Sequence, residues 1–242
     1  MTATDTQAAP ASPRGFRLPD WLIAVLHLLI VVAMPLTLVL LNARVLMSEA
    51  FIRWEYNQPN FPADPFGFTQ EDRLAYAPPA LAYLFNDEDI SYLGDQTFPD
   101  GTPLYNEREL SHMVDVKVVT QDLLRFGYGL LAVVGLSLAV LAFSANGRDA
   151  LRRALLRGGL LTVALIVTGL VTVALAFRWL FTQFHALFFE GDSWLFAYSD
   201  TLIRLFPEKF WTDAFVLMFA GALVEAILIA VLAWIALRRR AE

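Results

Sequence analysis

Four stretches of nearly unbroken apolar sequence, at 22–41, 126–143, 160–179 and 214–237, constrain this chain more than any other feature. Each approaches or exceeds the roughly 20 residues that a helix needs to cross the hydrocarbon core of a bilayer. A backbone in lipid must satisfy its own hydrogen bonds, so each stretch is predicted to be a helix. The expected fold is an all-α membrane protein with four transmembrane helices, in which 20–242 form a single membrane domain. The first stretch is too long for a signal-peptide core and lacks a small-residue cleavage site after it, so it reads as a retained anchor. Residues 1–19, rich in Ala, Thr and Pro without periodicity, read as a disordered tail.

Orientation follows from the arginines of the short flanks. Arg14 and Arg17 precede the first span, Arg148, Arg152, Arg153 and Arg157 lie between the second and third, and Arg238, Arg239 and Arg240 follow the fourth. All three segments belong on the cytoplasmic side, as an even number of spans requires. Segments 42–125 and 180–213 are acid-rich and face outward. Trp21, Tyr128, Trp179 and Trp211 near the span ends fit an interfacial aromatic belt. The expected location is a membrane, with both termini on the cytoplasmic side and any chemistry on the outer face.

Composition narrows that chemistry. The chain is 57% hydrophobic and only 17% charged, which fits the membrane class, and its net charge of -6 gives no support to a nucleic-acid role. It has no cysteine, which excludes disulfides, thiolate nucleophiles and Cys-ligated metal centres. No internal repeat and no symmetric pair of broken helices marks it as a transporter.

The outer segment 42–125 has too many aromatic residues for a tether and is expected to be a cap of short helices and loops between helices 1 and 2. Pro59, Pro62 and Pro65 end the continuation of the first helix. Thr69 with Asp72 marks a helix start, and Pro99-Asp100-Gly101 marks a turn, as of a small hairpin. Asn106 with Glu109 is a capping pair for another helix, on which His112 lies one turn from both Glu109 and Asp115. Either carboxylate is placed to orient the imidazole. A helix running unbroken into the second span would hold His112 roughly 20 Å above the membrane surface, so a break at 118–120 is expected to fold it back.

Beyond the third span, Arg178, Phe181, His185 and Phe188 fall at helical spacing on one face, which puts an aromatic-walled histidine at the membrane surface. Gly191 suits the end of that helix and Asp192 or Ser193 the start of the next. Trp194 to Phe206 is expected to form a helix lying in the interface, before Pro207 opens the fourth span. Of the three histidines, His27 lies within the first span and is read as a structural imidazole bonded to a neighbouring helix. Glu225 in the fourth span is a costly intramembrane acid, either functional or a protonated carboxyl bonded to a polar neighbour such as Thr168 or Thr172, and its depth puts it far from the histidines and out of catalysis.

These segments carry a resemblance. Tyr105 to Glu109 with His112 to Lys117, then Phe184-His185 with Phe188 to Phe196, then Asp200 to Ile203, Leu205 to Glu208 and Phe210-Trp211 are similar to the bacterial lipoprotein intramolecular transacylases. The resemblance covers nearly all of the chain after the tail, and only loosely the cap before Tyr105. It implies a four-helix membrane enzyme that acts on diacylated lipoproteins, moving the sn-2 acyl chain of the diacylglyceryl-cysteine to that residue's amino group to give the lyso form. The family's two catalytic histidines fall on His112 and His185. Glu109, Asp115, Arg178, Phe181, Phe188, Asp192, Ser193 and Trp194 are the expected supporting or substrate-binding residues. Membrane lipid and diacylated lipoproteins are the implied partners, with no cofactor and no metal.

The residues are consistent with that reaction. Attack of the amine on the sn-2 ester closes a ring of about eight atoms, so holding the substrate folded is where an enzyme contributes most. One histidine would take the ammonium proton and the other would donate to the leaving glyceryl oxygen, with the assignment open. Arg178 or backbone amides near Gly191 are candidates to steady the oxyanion. Two alternatives stand beside this. In one, His112, His185, Glu109 and Asp192 gather around zinc as a metal-dependent hydrolase, although no H-E-x-x-H motif is present. In the other, the cap of a non-enzymatic membrane protein binds a lipid or a protein partner.

Overall fold

The computed structural model describes residues 16–189 and 191–239. Eight helices follow one another: α1 (Asp20–Leu46), α2 (Glu49–Tyr56), α3 (Gln70–Tyr83), α4 (Ser91–Gly94), α5 (Glu107–Phe143), α6 (Arg148–Phe188), α7 (Thr201–Leu205) and α8 (Glu208–Arg238). Helices α1, α5, α6 and α8 are each long and apolar enough to cross a membrane, and they contain the four predicted spans. Among the described residues the sole β pairing is an isolated antiparallel bridge between Thr97 and Pro103. It closes the predicted turn, where Gly101 takes a φ of 86°. The all-α architecture with a cap after α1 is as expected.

In lipid there is little hydrophobic drive between helices, and small residues that allow close approach take its place. Ala222, Ala226, Ala230 and Ala233 form a buried stripe on α8, and Gly159 of α6 sits against it. A Cβ on Gly159 would lie 2.9 Å from both the Ala226 carbonyl oxygen and the Ala230 Cβ. Helix α6 packs on α8 and α1, and α1 also packs on α5. Inside the bundle, Asn42 of α1 donates to Glu225 of α8 at 3.0 Å, in a space that exists because position 221 lacks a side chain. This corrects the expected partners of Glu225, because Thr168 and Thr172 bond carbonyls of their own helix one turn back. His27 is structural as expected, with its Nδ1 on the Ala150 carbonyl at 3.0 Å.

Outside the bundle the cap has its own core, built from α2, α3, α7 and the first turns of α5, with Ile52, Tyr56, Ala77, Tyr83, Leu93, Leu104, Met113 and Leu205 all buried. The predicted starts hold, with full capping boxes at Thr69 with Asp72 and at Asn106 with Glu109. Residues 1–15 of the expected disordered tail lie outside the described residues. Leu18, at its end, is tied to the loop between α5 and α6 by hydrogen bonds with the Asn146 side chain at 3.0 and 2.9 Å.

Two expectations about helix continuity fail. Helix α5 runs unbroken through 118–120. Valine and threonine lower helix propensity by only a few tenths of a kcal/mol each. The cap supports this stretch from the side, through Lys117 to the Glu88 carbonyl and Gln121 to the Leu84 carbonyl. Conversely, no helix spans Trp194 to Phe206. Residues 192–200 are turns and irregular chain, and the helix there is confined to the short α7. Helix α6 ends at Phe188, and Gly191, with φ of 66°, lies in the turn that follows rather than capping the helix.

Candidate active site

Helices of 37 and 41 residues are about 55 and 60 Å long, roughly twice the hydrocarbon thickness, so α5 and α6 both project well past the membrane core. His112 on the first turns of α5 and His185 on the last turn of α6 therefore meet above the lipid without a break in α5. Helix α6 changes direction at Ala176, where φ of -147° and ψ of 39° are not helical. The two imidazole rings stand 6.1 Å apart between centroids and nearly parallel, at 22°.

Aromatic rings enclose the pair. Phe181 lies one turn before His185, with ring centroids 4.1 Å apart. Trp194 covers His185 at 4.7 Å. Phe189 touches both imidazoles, at 4.9 Å from His112 and 5.5 Å from His185, and Phe196 meets His112 at 5.3 Å. Phe188 points elsewhere and packs on Phe184 at 4.9 Å. Sequence reasoning named Phe188 and missed Phe189 and Phe196. Helical periodicity reaches Phe188, the last residue of α6, but says nothing of Phe189, which is already extended. Phe196 was assigned to a helix that does not form.

The imidazoles differ in their hydrogen bonding. His185 Nδ1 lies 2.8 Å from the Phe181 carbonyl oxygen. A carbonyl only accepts, so Nδ1 carries the proton and the neutral ring keeps its lone pair on Nε2. His112 Nδ1 is buried with no hydrogen-bond partner among the described residues. Burial, with His185 beside it, pushes the His112 pKa down to about 4, so that ring is neutral at ordinary pH. Burial also lowers His185, and the Phe181 carbonyl works against that shift.

Two further polar groups here are buried without partners among the described residues, the Ser193 hydroxyl and the Trp194 indole N–H. A buried donor left unpaired costs about 1–3 kcal/mol, so such groups concentrated beside two histidines are unusual in a purely structural corner.

The remaining candidates are placed as follows. Glu109 does not orient His112. Its carboxylate accepts from the Asn106 N–H at 2.9 Å and from the Leu202 N–H at 2.6 Å. Burial raises the Glu109 pKa above its ordinary value, against the pull of those bonds. Asp115 is exposed and makes no hydrogen bond among the described residues. Arg178, 85% exposed, is paired with Glu208 at 3.0 Å. Asp192 is exposed, and its carbonyl accepts from the Leu195 N–H. Glu190 lies outside the described residues. Among the described residues no three His, Asp or Glu side chains gather at metal-binding range, so the geometry does not assemble the four proposed zinc ligands.

The segment after α6 is held down from several sides. Arg108 donates to the Leu195 carbonyl at 3.1 Å and Thr201 to the Leu104 carbonyl at 2.5 Å. Arg204 bonds Asp64 at 2.9 Å in a pair whose carboxylate is 1% exposed, and Tyr56 donates to the Leu205 carbonyl at 2.7 Å. The site is thus a loop clamped onto a cap, with two histidines from separate helices beneath it.

Residues 28–211 match the family model described as lipoprotein intramolecular transacylase Lit. A protein of Aquifex aeolicus, described without a function, is 32% identical over 203 residues, covering 84% of this chain and 87% of that one. The in meso structure of the membrane-integral lipoprotein intramolecular transacylase Lit from Bacillus cereus has the same fold. It superposes with a TM-score of 0.76 at 20% identity and covers 93% of this chain and all of that one. Structures of the same Bacillus protein with one histidine replaced by arginine or by alanine superpose with TM-scores of 0.70.

Proposed function

This chain belongs to the lipoprotein intramolecular transacylase family, and from that premise we propose that it moves the sn-2 acyl chain of a diacylglyceryl-cysteine lipoprotein onto the cysteine amine, using His112 and His185. The observation that carries this reading is the pairing of the two imidazoles at 6.1 Å within an aromatic enclosure. Membership makes the chain a membrane acyltransferase. The transfer position, the diacylated substrate, the residue roles and the outward-facing site are the proposal.

His185 is the base. Its Nδ1–H is held by the Phe181 carbonyl, which leaves Nε2 free to take a proton from the substrate amine. The amine nitrogen, as free base, attacks the ester carbonyl, and a C–N bond forms. The proton it sheds rests on His185 Nε2. As the tetrahedral intermediate collapses, the bond from the acyl carbon to the glyceryl oxygen breaks, and His185 returns the proton to that oxygen. No acyl-enzyme forms, and the chain has no cysteine to form one.

His112, kept neutral, is suited to donate a hydrogen bond to the developing oxyanion rather than to deliver a proton. The unpaired Trp194 N–H and Ser193 hydroxyl are candidate donors to the same oxygen. Arg178 is dropped from this role because Glu208 holds its guanidinium. The aromatic rings favour the folded, acyl-bearing substrate over water and so serve the ring closure that costs the uncatalysed reaction most.

The test is mass spectrometry of the N-terminal lipopeptides of a reporter lipoprotein, from cells with the unaltered protein and with His112→Ala or His185→Ala variants confirmed in the membrane. An N-acylated, S-monoacylglyceryl cysteine made only by the unaltered protein is the expected result. Persistence of the diacylglyceryl form with the unaltered protein would overturn the activity. Full product from either variant would overturn that histidine's role.

A further inference from the structure

At the opposite end of the bundle from the histidines, a shallow, open recess of about 300 Å³ lies between α1 and α6. Its floor is Ile23, Ala24 and Ala150, and its polar lining is Asp20, His27, Arg153 and Arg157. Arg153 and Arg157 are four residues apart on α6 and so share a face. Two other arginines of α6 are engaged: Arg152 pairs with Asp149 at 2.8 Å, and Arg148 donates to the Ala142 carbonyl at 3.0 Å. Arg153 has no partner among the described residues. Among the described residues, the Arg157 guanidinium bonds the His27 ring alone, with Nη1 3.3 Å from Nε2. That imidazole is fixed by donation from Nδ1 to the Ala150 carbonyl, so Nε2 accepts from Arg157 and the guanidinium is aimed along the recess. Asp20 forms no ion pair with either arginine, although all three line the same space. Two positive charges and one negative charge thus stand around a gap without neutralising one another.

We propose that this recess binds the headgroup of an amine-bearing phospholipid, with the phosphate on Arg153 and Arg157 and the ammonium on Asp20. The site lies at the level where lipid phosphates sit. Trp21, two-thirds exposed beside Asp20, marks the interface, and the apolar segments of α1 and α6 begin at Leu22 and Leu160. Paired guanidiniums hold a phosphate through several donors at once, and an apolar floor strengthens each contact. A plain anionic lipid would satisfy the arginines but meet Asp20 with like charge. Phosphoethanolamine satisfies all three groups. The inference is independent of the chemistry at the histidines, because it concerns the other end of the bundle.

The experiment is native mass spectrometry of the full-length protein released from detergent with equimolar phosphatidylethanolamine and phosphatidylglycerol, repeated with inorganic phosphate in place of lipid. The unaltered protein is expected to retain phosphatidylethanolamine in preference. Arg153→Gln, at an exposed position where folding is not at stake, is expected to weaken retention about tenfold. Asp20→Asn is expected to abolish the preference between the two lipids while leaving binding. Equal retention of both lipids by the unaltered protein, undiminished retention by Arg153→Gln, or binding of inorganic phosphate as strong as that of lipid would each overturn the proposal.

Discussion

The carboxylate of Glu109, on the first turn of α5, accepts a 2.6 Å hydrogen bond from the backbone N–H of Leu202, on α7. One oxygen caps its own helix and the other pins the returning loop, so a single buried side chain joins the helix carrying His112 to the segment carrying Trp194 and Phe196. Glu109→Gln keeps only one acceptor oxygen and is expected to cost about 1–3 kcal/mol, and Glu109→Ala, which strands both N–H groups, more. Thermal unfolding in detergent reads the stability. Turnover is expected to fall with it, as the loop over the histidines loosens.

The two histidines are expected to differ in what can replace them. An amide side chain donates a hydrogen bond but cannot take up a proton, so His112→Asn or His112→Gln should retain measurable lyso product. The same substitutions at His185 should lose roughly 100-fold or more of the rate. Initial rates on a synthetic diacylated lipopeptide make the comparison. Equal losses at the two positions would contradict the division of roles. Burial holds the His112 pKa down to about 4, so a rise of rate with pH near neutrality should survive in His112→Gln.

Trp194→Phe keeps a ring against His185 and removes only the indole N–H. If that N–H meets the oxyanion, the rate constant should fall about 100-fold or more with KM and the thermal midpoint little changed. An unchanged rate would reduce Trp194 to packing.

Glu55 of α2 is fully buried, and neither oxygen meets a fixed donor among the described residues. Burial first, and the neighbouring carboxyl of Asp213 second, raise its pKa from 4.5 to about 7, partly offset by Lys209. As pH rises through that window the unfolded chain releases this proton before the folded one does, so the fold loses stability between about pH 4.5 and 7. Glu55→Gln should remove this component and stabilise the cap at pH 8 by about 1–2 kcal/mol. Thermal midpoints at pH 5 and pH 8 test it, and identical slopes for the two proteins would refute it.

The span count, the capping boxes at Thr69 and Asn106 and the turn at Gly101 were legible in the chain. Each is a local property, because apolar length, side-chain-to-backbone bonding and a φ above zero depend on residues within a few positions of each other. The break in α5 and the helix after Trp194 were misjudged for a single reason. Propensities of a few tenths of a kcal/mol per residue yield to lateral support, which Lys117 and Gln121 receive from the cap and residues 192–200 do not convert into helix.

The sequence thus named several of the candidate residues, and tertiary structure decided which of them come together. Glu109 sits one helical turn from His112 in any helical reading, yet it turns to the Leu202 N–H, since burial without a donor is costly and α7 brings one. Arg178 shares a helix face with His185 but is drawn to Glu208 across the start of α8. Phe189 and Phe196 reach the imidazoles only because the chain leaves α6 in an extended conformation and folds back over it. Spacing along one helix says which side chains are neighbours on its surface. Which of them turns inward is decided by the partners that other segments bring, and those distances exist only after folding.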